Sequence, residues 1–90
     1  MNAYTFTSRI TGKTIKRITK TEARKLFNQG IDIQIIPRNC NPTSLYYSGI
    51  WYNNKSTETD FDTLVINFEI YNCNYNETGK YAAFYVEEST

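Results

Sequence analysis

The sequence has no histidine and only two cysteines, two prolines and four glycines in 90 residues. Each scarcity closes a class of function. Without histidine the commonest general base, nucleophile activator and metal ligand is missing. Cys40 and Cys73 cannot by themselves complete a four-ligand zinc site, and two cysteines are too few for the disulfide framework of a small secreted scaffold. They read as reduced thiols, with pairing or metal binding left open. The apolar runs are a few residues long, far below the ~20 needed to span a bilayer, so no membrane partner is expected. Residues 1–5 show no basic stretch leading into an apolar one, so no secretory signal is expected and the chain reads as cytoplasmic. Ninety residues allow one core, and residues 1–90 read as a single domain. A hydrophobic fraction of 40% and an aromatic fraction of 16% supply a core and argue against disorder.

Charge is present in both signs but sorted along the chain. Residues 1–30 carry Arg9, Lys13, Lys16, Arg17, Lys20, Arg24 and Lys25 against Glu22, and residues 56–90 carry Glu58, Asp60, Asp62, Glu69, Glu77, Glu87 and Glu88 against Lys80. The formal net charge is only +1. Folding can mix the two ends or hold them apart. Held apart, they would offer one face to phosphates and another to a basic protein groove.

The patterning predicts an α+β domain. Tyr4 to Thr7 and Thr14 to Ile18 read as a β-hairpin with Gly12 in its turn. Thr19 followed by Glu22 is a capping box. Ala23, Leu26 and Phe27 then make one apolar helical face, and Gly30 stands where a helix C-terminus favours glycine. Ile31 to Ile36 alternates as a strand that Pro37 ends. Residues 38–44 read as a loop, Leu45 to Tyr52 as a strand with a bulge or close approach at Gly49, and residues 53–59 as polar linker. Residues 60–72 carry two patterns at once. Phe61, Leu64, Val65, Phe68 and Tyr71 share a helical face, whereas Leu64, Ile66, Phe68 and Ile70 alternate as in a strand. The spacing and a Thr59/Asp62 capping signal favour the helix. Tyr81 to Glu87 reads as a last strand. The expected order is β-β-α-β-β-α-β, a mostly antiparallel sheet with two helices on one face.

Few chemical motifs survive inspection. Gly12, Lys13 and Thr14 resemble the end of a phosphate-binding loop, but Thr7 stands where the first glycine belongs and the segment sits in a hairpin. Asp60 and Asp62 are explained by a helix first turn, where carboxylates interact favourably with the helix dipole. No catalytic, cofactor or metal residues are assigned, and the chain is expected to act by binding. The surplus lies in the aromatics. If helices cover Ala82, Phe84 and Val86, then Tyr81 and Tyr85 lie on the opposite sheet face, to pack or to meet a partner. With Tyr46, Tyr47, Trp51, Tyr52 and Tyr75 they suit a protein interface or base stacking.

The segments from Ile18 to Gly30, Phe61 to Asn74 and Gly79 to Val86 resemble small uncharacterised proteins carried by phages and conjugative elements of Gram-positive bacteria. The likeness covers about two-thirds of the chain and carries no functional residues over. Stand-alone proteins of such elements include anti-CRISPR inhibitors, many of them single domains of about this size. The resemblance therefore implies a non-enzymatic inhibitor in the host cytoplasm, monomeric or weakly homodimeric. Its target would be a host protein, a Cas effector nuclease of the Cas9 type foremost, whose nucleic-acid channel is positively charged. The contact residues expected on that reading are Glu58, Asp60, Asp62, Tyr81, Tyr85, Glu87 and Glu88. The alternative is a small nucleic-acid-binding accessory protein using Arg9, Lys13, Lys16, Arg17, Arg24 and Lys25 with the aromatic rings of Trp51 and Tyr85. A structural or assembly protein of the element is a third class.

Overall fold

The computed structural model of the chain describes residues 5–8, 12–38, 50–72 and 82–88. The hairpin forms as β1 (Thr5–Thr7) and β2 (Thr14–Ile18), with Phe6 opposite Ile15. Ser8 and Lys13 close it by a backbone bond of 2.9 Å, and Gly12 takes the left-handed φ of 75° that this turn requires. Helix α1 (Lys20–Asn28) begins where the Thr19 hydroxyl accepts the Glu22 N–H at 3.1 Å. It ends in a Schellman motif: the Gly30 N–H donates to the Phe27 carbonyl and the Ile31 N–H to the Leu26 carbonyl, with Gly30 at φ 81°.

Strand β3 (Ile33–Pro37) starts two residues later than the alternation suggested and includes Pro37, opposite Ala82. Proline is tolerated because β3 is an edge of the sheet. The expected strand from Leu45 to Tyr52 is not seen in its described part. Residues 45–49 lie outside the described residues, and of residues 50–52 only Tyr52 pairs, through two 2.8 Å bonds with Ile33. Residues 53–56, expected as linker, instead clasp the end of α1. The Asn54 N–H donates to the Phe27 carbonyl at 3.1 Å and its side-chain amide to the Asn28 carbonyl at 2.8 Å, satisfying acceptors that a helix terminus leaves open. The Asn53 side chain donates to Asp32 and accepts the N–H groups of Lys55 and Ser56.

Residues 60–72 resolve as helix α2 (Phe61–Asn72). Its cap is Asp60 rather than Thr59: the Asp60 carboxylate accepts the Thr63 N–H at 3.0 Å and hydroxyl at 2.7 Å. Strand β4 (Ala82–Glu87) completes an antiparallel sheet ordered β1-β2-β4-β3. β2 and β3 therefore run parallel on either side of β4, with α1 as their crossover. Among the described residues the element order is β-β-α-β-α-β.

The main core lies between the sheet and both helices. Ile18, Ile33, Ile35, Ala82 and Phe84 from the strands meet Ala23 and Phe27 of α1 and Phe61, Val65 and Phe68 of α2. The Phe61 ring is its centre, with centroids 5.6 Å from those of Phe27 and Phe84. Arg24 sits 5.4 Å over that ring while bonding Asp62 at 2.7 Å, which joins α1 to α2 at the surface. The pair is largely exposed and adds under ~1 kcal/mol. The opposite sheet face is buried as well. Ile15, Ile36, Ala83 and Tyr85 form a second cluster, with Phe6 and Trp51 packed against it and Phe6 edge-on to Tyr85 at 5.4 Å. Gln34, expected on a polar face, is 1% exposed there, and no buried side-chain polar atom among the described residues lacks a partner.

Truncating the central ring tests this arrangement. Phe61→Ala should cost about 3–5 kcal/mol, because the lost burial leaves a cavity bounded by two aromatic rings. Chemical denaturation would measure it as a lower midpoint at unchanged slope.

Candidate functional site

The sheet order gathers one end of three strands. β4 is antiparallel to both neighbours, so the C-terminal ends of β2 and β3 and the N-terminal end of β4 lie together. α1 starts directly from β2 at this end, and the second half of α2 passes above it: the Glu69 carboxylate accepts the Ala82 N–H at 3.3 Å. Between them is a cleft of about 590 Å³, within the range of small-molecule sites. Ile18, Thr19, Ala82, Ala83 and Phe84 form its walls. Its charged groups are Arg17 at the end of β2, Lys20 in the first turn of α1, Arg38 just after β3, and Glu69. None of the four is in an ion pair among the described residues. Three cations thus converge where one carboxylate stands.

Elsewhere the two signs of charge are interleaved. Asp62 binds Arg24, and Glu87 lies 3.5 Å from Lys13 across the β2–β4 register. Asp60 is turned to Thr63 as a cap. Of the residues expected to meet a basic groove, only Glu58 and Glu88 are exposed with no side-chain partner among the described residues, and no described contact joins them in one surface. Tyr85 is 4% exposed in the second cluster, so it is unavailable to a protein or to a base. Of the two alternatives for this sheet face, packing holds at this residue, which corrects Tyr85 as a contact residue: helices do cover Ala82 and Phe84, and the other side is packed too. Tyr81 lies outside the described residues, as do Arg9, Cys40 and Cys73.

The expected nucleic-acid set is also dispersed. Lys13 and Arg24 are paired to acids, Trp51 packs against the second cluster, and Lys16 is half-buried beside Val86. Lys25 is exposed near the far end of α1. Of the described members of that set only Arg17 enters the cleft. Lys20, Arg38 and Glu69 escaped the sequence reading. Their signal was positional: Lys20 follows a helix cap and Arg38 follows a strand-ending proline, and only the strand order brings these two boundaries together.

Among the described residues the two shifted ionisations both move away from neutrality. Burial raises the Tyr52 phenol, and the Thr63 hydroxyl and N–H hold the Asp60 carboxyl below its ordinary value. A proton-transfer group working near neutral pH would be shifted the other way. Among the described residues no three potential metal-binding side chains cluster, and no helix is long and apolar enough to cross a membrane. Comparison with protein-family models, curated proteins and solved structures finds no match for this chain.

The Asp60 cap has a pH signature. Its folded pKa lies below the ordinary 3.8, so its contribution is complete above that value and is lost as pH falls through the lower, folded one. Asp60→Asn keeps a capping oxygen but cannot titrate. Its thermal midpoint should fall less than the wild type's as pH is lowered from about 5, the acid range of this linkage; parallel decline of the two proteins would refute the capping role.

Proposed function

We propose that this protein is a small non-catalytic nucleic-acid-binding protein that holds the phosphate backbone of an unpaired strand in the cleft. One observation carries the reading: Arg17, Lys20 and Arg38 converge in a recess without ion-pair partners among the described residues, although the chain has nearly as many acids as bases. Phosphate oxygens are the anions that such a set matches, with guanidinium forks bonding two oxygens at once and lysine acting as a point charge. A recess of about 590 Å³ admits a single nucleotide unit and not the width of a duplex, which favours a single strand, a loop or an end. No exposed ring lines the cleft among the described residues, so affinity there rests on charge.

Fluorescence anisotropy with labelled oligonucleotides tests the proposal. Binding should weaken as salt rises, and Arg17→Gln, Lys20→Gln and Arg38→Gln should each lower the slope of log K against log salt by about 0.7, the value for one phosphate on a single strand. Lys25→Gln, at the other end of α1, should leave it unchanged. Absence of binding at low salt, or binding indifferent to all three cleft variants, would rule the function out.

A second reading, inhibition of a host Cas effector nuclease by protein–protein binding, has its own support. The outward side of α2 exposes Ile66 by 56%, Ile70 by 49% and Tyr71 by 83%. Adjacent exposed apolar side chains of this kind mark contact surfaces. On this reading Ile66→Lys with Ile70→Lys abolishes co-elution with the effector and restores its cleavage, while the cleft variants do neither. Normal cleavage in the presence of excess wild-type protein would dismiss it.

A further inference from the structure

The cleft contains a group that phosphate binding alone does not explain. Glu69 brings a carboxylate among Arg17, Lys20 and Arg38, and a bare oxyanion would be repelled by it. Glu69 forms no ion pair with any of the three. Among the described residues its one hydrogen bond is from the Ala82 N–H on β4, long at 3.3 Å and made to Oε2. That contact fixes the carboxylate over the sheet end and leaves most of its acceptor capacity unused, Oε1 in particular.

Among the described residues the cleft therefore offers two complementary sets: donors without ion-pair acceptors on three cations, and spare acceptor capacity on Glu69. A ligand that satisfies both has an anion at one end and N–H groups at the other. Within a nucleic acid, that is a nucleotide whose backbone phosphate faces the cations and whose base edge presents an amine. Cytosine offers N4–H₂. Thymine and uracil place a carbonyl at the same position, which would confront the carboxylate with another acceptor. In a duplex the base is stacked and its pairing edge occupied, so phosphate and amine enter the cleft together only from an unpaired nucleotide.

Resting on the nucleic-acid reading above, we propose that Glu69 is a specificity-determining residue that makes the cleft select unpaired nucleotides with an exocyclic amine, cytosine over thymine or uracil. Its position on α2, with its anchor on β4, holds it independently of the three cations on β2, α1 and the end of β3. Charge sets how tightly a strand is held, and the carboxylate sets which base is accepted.

Oligo-dC and oligo-dT of equal length make the test, because the two pyrimidines differ at this edge in donor against acceptor. By anisotropy at low salt, the wild type should bind oligo-dC about tenfold more tightly, the scale of one charged hydrogen bond gained or lost. Glu69→Gln can donate as well as accept. It should bring the ratio close to one, and it should do so partly by strengthening oligo-dT binding as the repelling charge is removed. A purely structural role for Glu69 would instead weaken both ligands together. Equal affinity of the wild type for the two strands, or an undiminished preference in Glu69→Gln, overturns the selectivity while leaving the nucleic-acid reading in place. If neither strand binds, both fall together.

Discussion

Everything else in this fold depends on the insertion of β4 between β2 and β3. The two strands that flank it are joined through α1 and run parallel with a gap between them, and residues 82–87 fill that gap. Until they do, Ile18 and Ile35 have no Phe84 between them, and neither helix has a continuous surface to cover. The pairing is distant in sequence: Ile15 meets Glu87 and Ile33 meets Val86. Such contacts are made late against loop-closure entropy, so the sheet is stable only when its last strand is in place. The same insertion draws the ends of β2, β3 and β4 to one place and so creates the cleft.

Local features were legible because their physics is local. The Thr19 cap, the apolar face of α1 and the left-handed Gly30 depend on neighbours within a few residues, and all are present as read. The hairpin about Gly12 and the antiparallel character of the sheet follow likewise. Residues 60–72 show why a mixed pattern arises. Phe61, Val65 and Phe68 face the core, which requires a helix, whereas Ile66 and Ile70 are outward residues that happen to complete a period of two. Their apolarity belongs to the surface of α2 and not to its packing.

What was hidden depends on strand order. The alternation in β3 suggested one wet face, yet all five of its residues are buried because the second cluster covers the other side. Tyr85 and Trp51 consequently serve packing where an aromatic count suggested contact. The cleft was hidden for the same reason. Lys20, Arg38 and Glu69 are far apart in the chain, each an unremarkable surface charge by itself, and composition holds no trace of their meeting.

Charge shows how the fold turns a sequence asymmetry into a local one. Cations dominate the first third of the chain and carboxylates the last, but antiparallel pairing of β2 with β4 and the contact of α1 with α2 bring opposite signs together, as Lys13 with Glu87 and Arg24 with Asp62. Among the described residues this interleaving leaves neither a broad acidic face for a basic groove nor a broad basic face for a duplex. The departure from it is the cleft, where three cations share a recess and their mutual repulsion is opposed by no ion pair among the described residues. Like charges drawn together oppose folding, and a sequence with so many acids elsewhere has the means to relieve them. Local rules broken in this way are expected at functional sites, and on the proposed reading the missing counter-charge arrives with the phosphates of a bound strand.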